Sequence, residues 1–397
     1  MTETARTVAF RMKATPEDFR VEEVADVEPA DTGPYGLYRL TKRGWNTTDL
    51  VHRLARELGV PRSTIAYGGR KDLRAVTSQL VTIKDRRAFS VSTEAYALEW
   101  IGALDKPMAP NLLVGNRFEI TLRSVAQPDV AVIERNASTL DRDGFLNYFD
   151  DQRFGSHDRD EGFAALYLLH GEWERALQLV LARDRREDPA RERCRRAYFR
   201  EHWWRWDECL AGSVTAAERN VFGFLATRGS DYPAAVNRLP HDLLSMVFAA
   251  YQSFLWNETA RALVSSAARR VSSLPGVAGP YVFPMETTTA GAARLRALVL
   301  PTADARTVPA DPEAASVYRR LLEREQLTTR SFRLREVQRA FFRSSPRHLV
   351  VTPAGLEVAA MGADELDPGR HRLTLRFTLP PGSYATMMLK RLSLLPA

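Results

Sequence analysis

Apolar and polar positions fall into three patterns along the chain. Up to about residue 170, short alternating runs interleave with amphipathic ones. Leu50, Val51, Leu54 and Leu58 form one helical stripe. Thr47-Thr48-Asp49 supply N-cap candidates for it, and Gly59-Val60-Pro61 end it. Val76 to Ile83 reads as a strand, and Phe118-Glu-Ile-Thr-Leu122 alternates with period two. From about 160 to 270 the period lengthens to that of a helix. Phe163, Leu166 and His170 share one face, and Trp173, Ala176, Leu177 and Val180 the next. Leu244, Val247, Phe248, Tyr251, Leu255 and Leu263 predict a long helix from near His241 to near Ala267. Residues 272–312, rich in Pro, Gly, Ala and Thr, read as loop with short strands. Alternation then returns. Leu349 to Thr352 is one strand and Arg372 to Leu379 another, with Leu373, Leu375, Phe377 and Leu379 on one face. Strand-rich, helix-rich, strand-rich order predicts an α+β fold with a mainly helical domain inserted in it.

Composition narrows the class. At 397 residues, 45% hydrophobic and 26% charged, the chain is long enough for more than one core and too apolar for disorder. No apolar run approaches membrane-spanning length. The first residues lack the layout of a secretory signal, so a cytoplasmic location is expected. Cys194 and Cys209 form no CxxC pair, which excludes a zinc ribbon and a disulfide scaffold. The net charge is +7, and all but six of the 56 basic residues are arginine, whose planar fork suits phosphate. Nine arginines and three tryptophans crowd between Ala182 and Trp206. Such a balance permits nucleic-acid binding without establishing it.

Four segments carry candidate chemistry. In Tyr67-Gly-Gly-Arg-Lys-Asp-Leu-Arg-Ala-Val-Thr77, one carboxylate, Asp72, stands among Arg70, Lys71 and Arg74. Neighbouring cations favour a charged carboxylate, which serves as nucleophile or base. A surface turn with a solvated ion pair is the other reading. Asn147-Tyr-Phe-Asp-Asp-Gln-Arg-Phe-Gly155 combines aromatics with amides, as a pocket that stacks and reads a base requires, or as an aromatic turn on the core does. Thr378-Leu-Pro-Pro-Gly-Ser-Tyr-Ala-Thr386 is a strand and a turn, and Lys13-Ala-Thr-Pro-Glu-Asp-Phe-Arg-Val-Glu-Glu23 an N-terminal strand with acids. The acids at 150–160 show no metal-ligand spacing, and neither a phosphate loop nor a Gly-x-Ser-x-Gly elbow is present.

Taken in order, these four segments resemble the TruD family of tRNA pseudouridine synthases. The motifs are Lys13 before Pro16-Glu-Asp-Phe-Arg-Val-Glu-Glu23, Gly69-Arg-Lys-Asp-Leu-Arg-Ala-Val-Thr77, Asn147 to Gly155, and Phe377-Thr-Leu-Pro-Pro-Gly-Ser-Tyr-Ala-Thr386. Tyr251-Gln-Ser-Phe-Leu-Trp-Asn257 is similar to the family's helix in its inserted domain. The chain departs from the motifs at Asp150, where the family usually has Gly, and at Leu73. The resemblance implies the pseudouridine-synthase fold, a mixed, largely antiparallel sheet with helices. It implies a catalytic domain over 1–169 and 336–397 and an inserted domain over 170–335. It implies isomerisation of a uridine in tRNA, usually uridine 13, with no cofactor and no metal. Asp72 would be catalytic, with Lys13 and Lys71 as supporting charges. Phe19, Asn147, Phe149 and Phe377 would bind substrate, Phe377 facing the pocket. Structured RNA, with no membrane and no small-molecule cofactor, is the expected partner of a monomer. A non-catalytic RNA-binding protein on the same fold is the alternative.

Overall fold

The alternating runs at both ends of the chain join in one nine-stranded sheet. Its strands are β1 (Phe19–Ala25), β2 (Tyr35–Arg43), β3 (Ile65–Tyr67), β4 (Val76–Ile83), β5 (Val91–Ser92), β6 (Tyr96–Leu104), β7 (Leu113–Val125), β8 (Ala354–Ala363) and β9 (His371–Leu379). The order is β8-β9-β7-β1-β4-β2-β6-β5, with β3 also paired to β4. Only β1 and β4 run parallel. The computed structural model in which this sheet is seen describes residues 3–85, 87–184, 188–338 and 340–395.

Register follows the polarity of the strands. Phe377 lies opposite Phe118, and Phe118 opposite Val21, while Ile120 lies between Phe19 and Leu375. Residues directly opposite share a face, so these six make one apolar surface, and all are buried. The other face carries charge, with Glu119 of β7 reaching Arg20 of β1 at 3.8 Å and Arg376 of β9 at 2.8 Å. Helix α1 (Thr47–Leu58) lays Leu50, Val51 and Leu54 on Tyr38, Leu40, Val81 and Leu98 of β2, β4 and β6. Its cap is Asn46, whose side chain accepts from the Thr48 amide at 2.8 Å, one residue ahead of the expected Thr47. The Thr47 hydroxyl is engaged elsewhere, by Gln79.

This sheet belongs to one compact unit, formed by Arg6–Phe145 and the chain from Val351 onward. Leu146–Val350, with the residues up to Ala5, forms the other. The second unit is built on the His241–Ala267 helix, which spans the range its periodicity predicts. The sequence expectation starts the insertion at 170 and ends it at 335; the compact unit runs further at both ends. Asn147-Tyr148-Phe149 packs inside it: the Phe149 amide donates to Asn257 Oδ1 at 2.9 Å, and the Asn257 amide donates back to the Phe149 carbonyl. The stretch over 272–312, read as loop with short strands, carries strands but also a helix that reading did not foresee. It holds two paired strands, Ala268–Leu274 and Tyr281–Thr287, and a helix, Thr289–Ala297, capped by Thr288. Among the described residues no helix is long and apolar enough to cross a membrane.

Candidate active site

Asp72 sits on the connection from β3 to β4, and buried polar side chains beneath that loop fix its path. Lys42, on β2, shares the inward phase of Tyr38 and Leu40 and is fully buried. Its ammonium donates to the carbonyls of Trp45 at 2.7 Å, Asp72 at 2.8 Å and Lys71 at 3.4 Å. Burial lowers the Lys42 pKa from 10.5 to about 8; the Asp72 charge opposes that shift and the Lys71 charge adds to it. The Lys71 amide donates to Thr47 Oγ1 at 3.0 Å, the Thr47 hydroxyl donates to Gln79 Oε1 at 3.1 Å, and Gln79 Nε2 donates to the Gly69 carbonyl at 3.1 Å. The loop is thus tied to α1, β2 and β4 together. Gly68 has no special φ; a Cβ there would stand 2.7 Å from the Leu113 side chain, which would have to shift.

The Asp72 carboxylate is held from the side by Lys13, whose Nζ lies 3.0 Å from Oδ2. The same ammonium lies 4.0 Å from the centroid of the Phe19 ring. Lys13 has φ +55°, a left-handed conformation that costs a non-glycine residue on the order of 1–3 kcal/mol. Fixed points on either side impose it. Arg11 exchanges backbone hydrogen bonds with Arg123, and Asp18 accepts from the Thr15 amide at 2.8 Å and from Arg123 Nε at 2.7 Å. Lys71 is engaged in a different place. Its Nζ lies 2.7 Å from Glu23 Oε2 and donates to Asn116 Oδ1 at 2.7 Å, in a pair that is almost wholly buried.

The structure therefore brings Asp72, Lys13 and Phe19 together. It adds Lys42, Thr47, Gln79 and Glu23 as supports that motif reading does not assign. The available signal was a lysine in phase with the apolar face of its strand. Phe377 is buried and stacked on Phe118, centroids 5.2 Å apart, and Phe118 meets Phe19 edge-on at 6.1 Å. Asn147 and Phe149 belong to the other unit. There Arg347 donates to Asn147 Oδ1 at 2.7 Å, Asn147 Nδ2 donates to the His348 carbonyl at 3.2 Å, and the Arg347 guanidinium lies 4.1 Å from the Phe149 ring centroid. Asp150 is buried in that unit as well.

Comparison with known proteins gives the following. A family model described as tRNA pseudouridine synthase D (TruD) matches residues 1–392. A tRNA pseudouridine synthase D from Leptospira interrogans is 29% identical over 408 residues, covering 98% of this chain and 97% of that protein. One from Aquifex aeolicus is 29% identical over 392 residues, covering 96% and 98%. The crystal structure of a TruD protein from Methanosarcina mazei matches with a TM-score of 0.71 at 24% identity, over 98% of this chain and 95% of the other, a likeness of fold.

Proposed function

The chain belongs to the tRNA pseudouridine synthase D family, and from that premise we propose that it isomerises uridine 13 of tRNA to pseudouridine at Asp72. The sheet is that of the pseudouridine-synthase fold, and the enzyme is an isomerase. Its reaction breaks the N1–C1′ bond, turns the uracil, and joins C5 to C1′. C5 gives up a proton and N1 takes one, so composition and oxidation state are unchanged and no cofactor enters the balance. The observation that carries the reading is a carboxylate presented by a loop with three buried anchors, Lys42, Thr47 and Gln79, and held at 3.0 Å by Lys13. Preorganisation of this kind is what a reacting group needs. Phe19, under the Lys13 ammonium, and Phe118 behind it form the apolar wall beside Asp72. The substrate roles of Asn147, Phe149 and Phe377 rest on the resemblance. A target base must leave its stack, which costs a few kcal/mol. The proposed compartment is the cytoplasm, where tRNA is modified.

Asp72→Asn tests the assignment. The Asp72 side chain is 27% exposed, so the amide is accommodated without unfolding. The variant is expected to melt like the parent and to release no tritium from C5-labelled tRNA. Turnover above a hundredth of the parent rate refutes the role of Asp72. Pseudouridine at a tRNA position other than 13 refutes the target while leaving the chemistry intact.

A further inference from the structure

The arginine-rich segment between Ala182 and Trp206 is the obvious place to seek an RNA-binding surface, yet much of its charge is spent internally, Arg191 and Arg193 being exposed with no ion pair among the described residues. Arg183 pairs with Asp158 at 3.0 Å, Arg195 with Glu218 at 3.0 Å, Arg196 with Asp188 at 3.0 Å and Arg200 with Asp184 at 2.8 Å. Arg185 and Arg186 lie outside the described residues. Elsewhere in the same unit the opposite holds. Arg306, Arg330, Arg333 and Arg335 border one cleft of about 960 Å³, all four are exposed, and among the described residues none is ion-paired. That volume is at the upper end of the about 300–1,000 Å³ that ligand clefts occupy.

The wall of this cleft is aromatic. Phe342 stacks on Phe248 of the long helix with centroids 4.3 Å apart and meets Phe332 edge-on at 5.0 Å. Its neighbour Phe341 is left outside at 73% exposure, the highest of any large hydrophobic side chain among the described residues. Unpaired guanidiniums bordering one cleft beside an exposed ring match the chemistry of a sugar-phosphate chain with an unstacked base. Planar forks take phosphate oxygens, and a ring face accepts any base. An acidic peptide would satisfy the charges but leave the ring without its counterpart.

We infer that the cleft bordered by Arg306, Arg330, Arg333, Arg335 and Phe341 is a second RNA-binding site. It holds an unpaired stretch of the substrate tRNA through its phosphates and one stacked base, and it contributes affinity rather than chemistry. The inference rests on the reading of this protein as a tRNA-modifying enzyme. Its test is the dissociation constant of an unmodified tRNA transcript, measured against salt by anisotropy, for the parent protein and for the Arg330→Gln/Arg333→Gln/Phe341→Ala variant. Each phosphate contact contributes about 0.7–0.9 to the slope of log K against log salt, so the slope is expected to fall by about 1.5. Loss of the stacked base weakens binding further, on the order of tenfold. All three side chains are exposed, so melting is expected to be unchanged; if the triple variant melts lower, Phe341→Ala and Arg333→Gln measured singly report the same two quantities. Affinity within twofold of the parent, with an unaltered slope, overturns the proposal. So does unaltered tRNA binding alongside capture of a polyglutamate peptide that the variant loses. Binding is read without turnover, so a parent protein that binds tRNA through the cleft yet forms no pseudouridine sinks the enzymatic reading alone.

Discussion

Replacing Lys42 by Met separates the stability of the fold from the placement of Asp72. Met fills much the same volume and carries no donor. Two short hydrogen bonds, to the carbonyls of Trp45 at 2.7 Å and Asp72 at 2.8 Å, are lost. Bonds from a charged donor contribute roughly 1.5–3 kcal/mol each, so the loss is about 3–6 kcal/mol. Against this stands the cost of burying the ammonium. Its fall from 10.5 to about 8 corresponds to roughly 3 kcal/mol. The two nearly offset, leaving a net destabilisation of about 0–3 kcal/mol, which lowers Tm by less than about 10 °C in a unit of this size. Catalysis has no such compensation. The backbone of residues 71 and 72 loses the anchor that aims the carboxylate, and a displacement near 1 Å costs on the order of a hundredfold in rate. Thermal melting followed by single-turnover tritium release at saturating tRNA measures both quantities on one preparation. A folded Lys42→Met protein with a rate within threefold of the parent would show that the lysine does not position the loop.

Two further outcomes follow from the same region. Phe377→Ala removes a buried ring stacked on Phe118 and is expected to cost about 3–5 kcal/mol; a melting temperature within 2 °C of the parent, with weakened tRNA binding, would instead make Phe377 a substrate contact. The rate is expected to fall as pH rises past about 8, because the Lys42 ammonium loses a proton and with it the charge beside Asp72; the sign for stability is opposite. The folded value lies below the unfolded one, so between about 8 and 10.5 the unfolded chain holds more protons and the contribution of Lys42 to stability rises with pH. A pH–rate profile flat to 9.5, or one whose alkaline limb persists in Lys42→Met, contradicts the assignment.

What was legible in the sequence was what local pattern determines. The stripe of Leu50, Val51 and Leu54, the long helix from His241, and the buried face of Leu373, Leu375, Phe377 and Leu379 all follow from periodicity, and all are found. Asp72 stood out because a single acid lay among cations. The supports of Asp72 did not, because they are set by residues distant in the chain. Lys71 looks like a neighbour of Asp72 by spacing, but Glu23, forty-eight positions earlier, takes its ammonium. The crowding at Gly68 comes from Leu113, brought against it by the fold. The helix over Thr289–Ala297 was hidden by its composition: Ala, Gly and Thr read as loop until Thr288 is seen capping them.

The chain crosses from one unit to the other at 5/6, 145/146 and 350/351, and the last two crossings bear on the order in which the protein can assemble. On the ribosome β7 emerges long before β9, and Phe118 must wait for Phe377 to cover it. A hydrogen bond such as that between Thr121 and Thr374 closes a span of 253 residues. Left as flexible chain, a loop of that length costs about 5 kcal/mol of closure entropy. Within the inserted unit, however, the Asn147 amide donates to the Leu349 carbonyl at 2.8 Å, so its two ends meet. Once that unit folds, what separates the two halves of the sheet is a short tether instead of two hundred free residues. An insertion whose two ends meet, once folded, therefore lowers the closure cost of the sheet whatever its own length.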